Sequence, residues 1–242
     1  VAVEEVEGVR IGRQVHQLRH VDDDKARLVV SQLVNRTRGY LSPAEAGPTY
    51  LGGMMDLGEL DPDDPDAVEK ALHYSFVAAP QLNAMAMVHA DGWSVSAFRR
   101  ADGSIATDRG QWREDPRIRE AVEEVMSRGD TVGFWGTPRF IPAAGTTLVT
   151  YVQPVHRDGA FHAAVIATIR LANLSAFVRE LSQDLGENTY ILYGRDRVIA
   201  HKALAEGALP VSPQNPLPRI SDIGDPVLAS MWTTASGSDD AA

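Results

Sequence analysis

The dipeptide Asp-Gly occurs three times in this chain, at Asp91-Gly92, Asp102-Gly103 and Asp158-Gly159, each time beside runs of apolar and β-branched residues. A chain that reverses through Asp-Gly pairs its strands antiparallel, because both central residues of the tightest hairpin turn need φ > 0 and Asp-Gly tolerates this well. Two hairpins can be written from it: residues 82–90 with 93–100, and residues 146–157 with 160–171. A two-residue turn also sets the register. In the first hairpin Val88 then faces Val95 and Ala86 faces Ala97, while the other face pairs His89 with Ser94, Met87 with Ser96 and Met85 with Phe98. In the second, Val152 faces Val165 and Leu148 faces Ile169, and the other face presents Val149, Tyr151, His162, Ile166 and Thr168.

Each hairpin thus has one bland face suited to a covering helix and one face that mixes aromatics, methionine and hydroxyls. Apolar walls with a few hydrogen-bonding groups are what a modest ligand pocket needs. The candidate lining is Met85, Met87, Ser96, Phe98, Tyr151 and Thr168, with Trp112, Trp135, Arg139 and Phe140 supplied by covering loops. The same residues suit a second small core beneath those loops. Pocket and core can be one place.

Around the hairpins the pattern is helical. The first 42 residues lack proline, and Ile11, Val15, Leu18, Ala26, Val29 and Leu33 recur near helical spacing, which predicts one long helix ended by Ser42-Pro43. A second helix follows the Asp- and Pro-rich run at 61–66, with Asp66 as cap and Glu69 three residues on. A third opens at Asp115-Pro116. A further strand pair, 188–193 and 197–202, comes before a proline-rich tail. The fold class is α+β.

Composition narrows the function. A formal net charge of −10 without a basic stripe disfavours nucleic acid as a partner. No cysteine is present, so disulfides, thiolate nucleophiles and cysteine metal sites are excluded. No His-Glu-x-x-His, Gly-x-Ser-x-Gly or phosphate-loop motif occurs, and the seven histidines are read as surface residues. The expectation is no catalytic residue, no metal ligand and no cofactor. No run reaches the roughly 18 apolar residues of a membrane span. A start at Val1-Ala2-Val3-Glu4 reads as a piece of something longer.

The order of helix, loop, helix, Asp-Gly hairpin, helix, Asp-Gly hairpin resembles the double Cache sensor domains of bacterial membrane receptors. The residues that carry the resemblance are Tyr151-Val-Gln-Pro-Val-His-Arg-Asp-Gly-Ala-Phe161 and Tyr193-Gly-Arg-Asp-Arg-Val-Ile-Ala-His201. The second segment is similar to sensors attached to class III adenylate or guanylate cyclases. The resemblance implies a long N-terminal helix (1–41), a membrane-distal, ligand-binding PAS-like module (42–178) and an incomplete membrane-proximal module (179–242). It further implies a non-catalytic, extracytoplasmic small-molecule sensor in a membrane-anchored parent, a homodimer through the N-terminal helix. Amino-acid-binding members carry Arg-x-x-Trp-Tyr, a later aromatic and an Asp on the last distal strand. Here Arg109-Gly-Gln-Trp112 matches the start, which adds Arg109 to the candidate lining. Arg113 stands where Tyr is expected, Phe140 replaces the later Tyr, and Thr168 falls where the Asp would be. A ligand ammonium would lack its charge-assisted partner at that point, so an ordinary α-amino acid is disfavoured. Two other readings remain: a partner-protein-sensing dimerisation module of a chemoreceptor or histidine kinase, and a secreted hydrolase.

Overall fold

A computed structural model of the chain describes residues 2–6, 9–13, 23–114, 116–186, 188–205, 211–226 and 228. In chain order its elements are β1 (Ala2–Val6), β2 (Val9–Arg13), α1 (Asp23–Asp56), α2 (Pro65–Val77), β3 (Ala84–His89), β4 (Trp93–Arg99), β5 (Ile105–Gln111), α3 (Pro116–Arg128), β6 (Phe134–Trp135), β7 (Arg139–Ile141), β8 (Thr146–Arg157), β9 (Ala160–Arg170), α4 (Leu171–Leu185), β10 (Thr189–Tyr193), β11 (Arg197–His201) and α5 (Lys202–Ala205). They form two compact units. One comprises Val1–Arg38, Arg139–Thr147 and Leu171–Ala242; the other comprises Gly39–Pro138 and Leu148–Arg170. The α+β class expected from the sequence is found. Val15, His16, Leu18, His20, the predicted cap Asp115 and the tail beyond residue 228 lie outside the described residues.

The predicted N-terminal helix is displaced along the chain. Residues at its expected start form β1 and β2, and α1 runs from Asp23 through Ser42-Pro43 and Pro48 to Asp56. An interior proline costs a helix about 3 kcal/mol, which is why a stop was expected. Leu51 and Met55 are buried, as is Ala44. Burial of side chains the size of Leu51 and Met55 is worth about 1.5–3 kcal/mol each, the same size as the proline cost. Tertiary packing therefore carries the helix through both prolines. The cap of α2 also shifts: Asp64, not Asp66, accepts the N–H groups of Asp66 (2.9 Å) and Ala67 (3.1 Å), with Pro65 at the first position.

The second unit is built on an antiparallel sheet in the order β5-β4-β3-β9-β8-β6. Its registers correct the expected pairings by one residue. At Asp158-Gly159 both φ angles are positive, +54° and +78°, and the turn is the two-residue kind, so Arg157 pairs with Ala160 and His156 with Phe161. At Asp91-Gly92 only Gly92 is positive, at φ +107°. The loop there is three residues, closed by the Gly92 N–H on the His89 carbonyl (2.9 Å), and Met87 pairs with Val95 and Met85 with Ala97. A β-bulge between Val155 and His156 then shifts the second hairpin as well, pairing Val152 with Ile166 and Tyr151 with Ala167. A one-residue slip exchanges the two faces of a strand.

The consequence is a sheet whose two faces differ from those expected. One face holds Met85, Met87, His89, Val95, Ala97, Val165, Ala167 and Tyr151, and helices cover it. Gly47 of α1 sits against Met85: a Cβ there would lie 2.8 Å from the methyl carbon at the far end of that side chain. Glu45 of α1 accepts the indole N–H of Trp135 (2.8 Å), and Thr49 shares a hydrogen bond with the Tyr151 hydroxyl (3.3 Å). Phe76 of α2 is fully buried, with Arg99 of β4 over its ring.

The first unit has a four-stranded sheet in the order β1-β2-β10-β11. Half of its strands come from the N-terminus, an arrangement that a reading in chain order does not anticipate. Residues 29–34 of α1 pack on α4 through Leu33, Val34 and Leu181. His201, at the end of β11, is buried at 3% exposure, with Nδ1 accepting the Ala203 N–H (3.2 Å) and Nε2 3.6 Å from the Asp225 carboxylate. Burial pushes its pKa below the ordinary histidine value, against the opposing pull of Asp225. The folded unit therefore holds neutral His201, while the unfolded chain takes up a proton below about pH 6.5. The contribution of this group is complete above that pH and is lost as pH falls from there toward the folded pKa. Thermal melts between about pH 7.5 and about pH 5.5 should show a smaller acid-induced loss for His201→Gln than for the parent chain. Equal losses would show that His201 is not the titrating group.

Candidate functional site

The uncovered face of the second unit's sheet is the candidate binding surface. Along β3, β4, β8 and β9 burial alternates, and Ala84, Ala86, Ser96, Phe98, Thr150, Ile166 and Thr168 are among the residues that stay half-buried. The pairings join them into one patch: Ala86 lies opposite both Ser96 and Ile166, Ala84 opposite both Phe98 and Thr168, and Thr168 opposite Thr150. Central strands of a sheet normally bury both faces or present charge to water. Here the floor is small and apolar with hydroxyl groups between. Thr168 donates to Asn83 Oδ1 (3.1 Å), which fixes its side chain.

Toward the Asp91-Gly92 end the same face is closed. Val88, Trp112, Val122, Val125, Val152 and Ala164 form a buried cluster with Phe134, Phe161 and Ile166 against it. The Trp112 indole donates to the His89 carbonyl (2.7 Å), and Arg113 holds the carbonyls of Asp91 (2.8 Å) and Ala90. Arg113, standing where a tyrosine was expected, is a brace for the β3–β4 turn.

The eleven candidate residues are thus divided. Ser96, Phe98 and Thr168 lie together on the floor. Met85, Met87, Tyr151, Trp135 and Arg109 belong to the helix-covered face, and Trp112 belongs to the buried cluster. For Met85, Met87 and Tyr151 the physical reason is the one-residue shift in each hairpin, whereas Arg109 and Trp135, expected on loops, lie in β5 and β6. Arg139 and Phe140 form β7 in the other unit. Ala84, Ala86 and Thr150 were missed. Small residues at every second position, Ala84-Met85-Ala86-Met87, were the available signal, and it needs the correct register to be read.

Arg109 is engaged elsewhere. It donates to Glu69 (2.7 Å) and Asp66 (2.6 Å) of α2, and Thr107 donates to the same Glu69 (2.5 Å). Arg109 holds the Asp66 carboxyl below its usual range; Thr107 first, then Arg109, does the same for Glu69. A shallow cleft of about 330 Å³ lies here, lined also by Lys70 and His73. Its guanidinium already has two carboxylate partners, which leaves the uncovered floor as the better ligand surface.

The histidines are not all surface residues: His89 and His201 are buried. His89 and His162 meet at the bulged end of β9. Their Nε2 atoms lie 2.9 and 3.1 Å from Asp63 Oδ1 and 3.4 Å from each other. Arg157 donates to Asp63 Oδ2 (2.7 Å) and, with help from His162 and His89, holds that carboxyl below its usual range.

No protein-family model and no curated protein matches the chain. Solved structures do. The chain is similar to Methyl-accepting Chemotaxis protein X, at 14% identity over 65% of each chain with a TM-score of 0.51. It is similar to the ligand-binding domain of Campylobacter jejuni chemoreceptor Tlp3 in complex with L-valine, at 13% identity over 79% of this chain and 74% of that one, TM-score 0.52. The same domain in complex with 4-methylisoleucine aligns at 14% identity over 79% and 73%, TM-score 0.50. The chain spans 65% of the length of the chemotaxis protein. At these identities the likeness is one of fold alone.

Proposed function

We propose that this chain is the extracytoplasmic ligand-binding part of a transmembrane signalling receptor, and that a small molecule binds on the floor formed by Ser96, Phe98, Thr168 and their alanine neighbours. The observation that carries this reading is the half-exposed, largely apolar patch on the central strands, opposite the helix-covered face. The sensor is non-catalytic and acts as the distal module (residues 42–178) ahead of a proximal one (179–242). The parent is membrane-anchored and signals as a homodimer. A cyclase output rests on the Tyr193–His201 segment. Among the described residues no helix is long and apolar enough to cross a membrane, so anchoring is a property proposed for the parent protein. Ligand shifts the receptor only if it binds one of its arrangements better than the other.

Position 168 offers no carboxylate to an ammonium group, which argued against α-amino acids. Asp108, paired with Ser96, supplies an exposed carboxylate at the edge of the same face. The neighbours solved with valine and 4-methylisoleucine point the same way. The ligand class is therefore a small, largely apolar molecule, and α-amino acids are included.

A thermal-shift screen of amino acids and small carboxylates tests this. At a hundredfold excess over Kd a ligand adds about 2.7 kcal/mol, or about 5 to 10 °C for a chain of this size. Phe98→Ala should abolish that shift without loss of fold. Thr168→Asp should strengthen an ammonium-bearing ligand and weaken a neutral or anionic one. A screen in which nothing shifts the parent chain would instead favour a module that senses a partner protein. Tyr50, Leu57, Tyr74 and Val77, large apolar side chains exposed on α1, just beyond its end and on α2, are what favours that second reading.

A further inference from the structure

We propose that Asp63, His89 and His162 bind a divalent transition-metal ion of zinc-like chemistry. The three side chains come from the loop between α1 and α2, the end of β3 and the start of β9, and their donor atoms converge. The edges of the triangle they form are 2.9, 3.1 and 3.4 Å. Such a triangle has a circumscribed radius of about 1.8 Å, so one point lies at the roughly 2.0 to 2.1 Å that Zn–N and Zn–O bonds require of all three atoms. A hydrogen-bonded pair needs no third donor at the same point.

The local structure supports that geometry in three ways. The bulge between Val155 and His156 leaves His162 as the extra residue of β9, and its ring lies edge-on to His89, with centroids 4.7 Å apart. Bulges serve to re-aim side chains in this manner. His89 is 2% exposed and stacked on Trp93 at 4.9 Å and 15°, so its ring is fixed. Arg157 grips Asp63 by Oδ2, which leaves Oδ1 for the ion.

Charge and donor type select the ion. Asp63, Asp61 and Asp91 surround the point, with Arg157 the opposing cation, so a dication is balanced there. Two imidazole nitrogens with one carboxylate oxygen suit zinc and its first-row neighbours, not calcium or magnesium, which take oxygen ligands. With Nε2 on the ion, the His89 proton resides on Nδ1. The backbone N–H of Asp91 that donates to Nδ1 (3.1 Å) must then turn aside, and Asp91 Oδ2, at 3.6 Å, becomes its acceptor. Asp63 is half-exposed, so a water completes the coordination from the solvent side. The ion would tie the α1–α2 loop to the sheet. The inference is independent of the ligand reading, because the triad lies on the helix-covered side of the sheet.

The full chain, stripped of metal with a chelator, would be titrated with Zn²⁺ by calorimetry and by thermal shift, and with Co²⁺ by visible absorption. One saturating equivalent, a raised Tm and the intense d–d bands of four-coordinate Co²⁺ are expected, with no response to Mg²⁺ or Ca²⁺. His162→Ala and Asp63→Asn, both outside the core, should keep the far-ultraviolet circular dichroism of the parent and weaken Zn²⁺ binding a hundredfold or more. Absence of saturable binding, or binding that survives in the folded double variant, would overturn the proposal; the second outcome would assign the ion to other histidines.

Discussion

Met85→Ala is expected to lower the stability of the chain by about 2–5 kcal/mol and to leave ligand binding intact. Met85 is fully buried beneath Gly47 of α1, paired with Ala97 on one side and Ala167 on the other. Truncation removes most of its buried apolar surface, and its small neighbours cannot collapse into the space. At about 2 to 4 °C per kcal/mol for a chain of this length, a thermal melt resolves the loss easily. The helix above supplies a second test. Gly47→Ala alone puts a Cβ 2.8 Å from the buried Met85 methyl carbon, which must then shift, so it should gain less than the roughly 1 kcal/mol that a helix-interior glycine costs. In the Met85→Ala background the same substitution fills part of the cavity and removes a helix-interior glycine worth about 1 kcal/mol. The two changes should therefore be strongly non-additive, with the double variant more stable than Met85→Ala alone. Loss of the ligand response together with unchanged stability would instead return Met85 to the binding surface.

That prediction exposes what the sequence could and could not reveal. The hairpins were legible because Asp-Gly between apolar runs has few other uses, and α2 and α3 followed from cap and proline positions. The binding face was not legible, for a reason one residue wide. Asp-Gly fits a two-residue turn when the Asp also adopts φ > 0, as Asp158 does, and a three-residue loop when only the Gly does, as at Gly92. The dipeptide is compatible with both, and burial of Met85, against α1, and of Met87 decides. Each methionine then moves from the presumed pocket into the core, and Ala84 and Ala86 take the floor. The bulge at His162 separates Tyr151 from Thr168 in the same way, sending Tyr151 to the helix-covered face and leaving Thr168 on the floor, and Val155 and His156 give no local warning of it. Pairing of β2 with β10 joins residues 13 and 189, a separation over which no local pattern speaks. The His89–His162–Asp63 meeting depends on that same bulge, so histidines that looked scattered in the sequence come together only in the fold.

Trp112 separates a binding aromatic from a structural one most sharply. It was a candidate ligand contact from a covering loop, and it also occupies the tryptophan position of the Arg-x-x-Trp pattern. In the structure it is 3% exposed, packed among Val88, Val122, Val125, Val152 and Ala164, and it donates to the His89 carbonyl. Trp112→Ala should therefore cost about 3–5 kcal/mol, enough to loosen α3 from the sheet. Trp112→Phe keeps most of the buried ring. The His89 carbonyl retains its bond from the Gly92 N–H, so the loss reduces to one hydrogen bond, about 0.5–1.5 kcal/mol. Chemical denaturation of both variants checks the ratio. A ligand-contacting role makes the opposite forecast: both variants would stay within about 0.5 kcal/mol of the parent, as surface substitutions do, and both would lose the ligand-induced shift. The hydrogen bond from Trp112 also reaches the backbone of the residue whose ring forms the metal triad. Trp112→Phe should accordingly weaken Zn²⁺ binding less than His162→Ala does, because it removes one of two bonds to the carbonyl and leaves the ring stacked on Trp93.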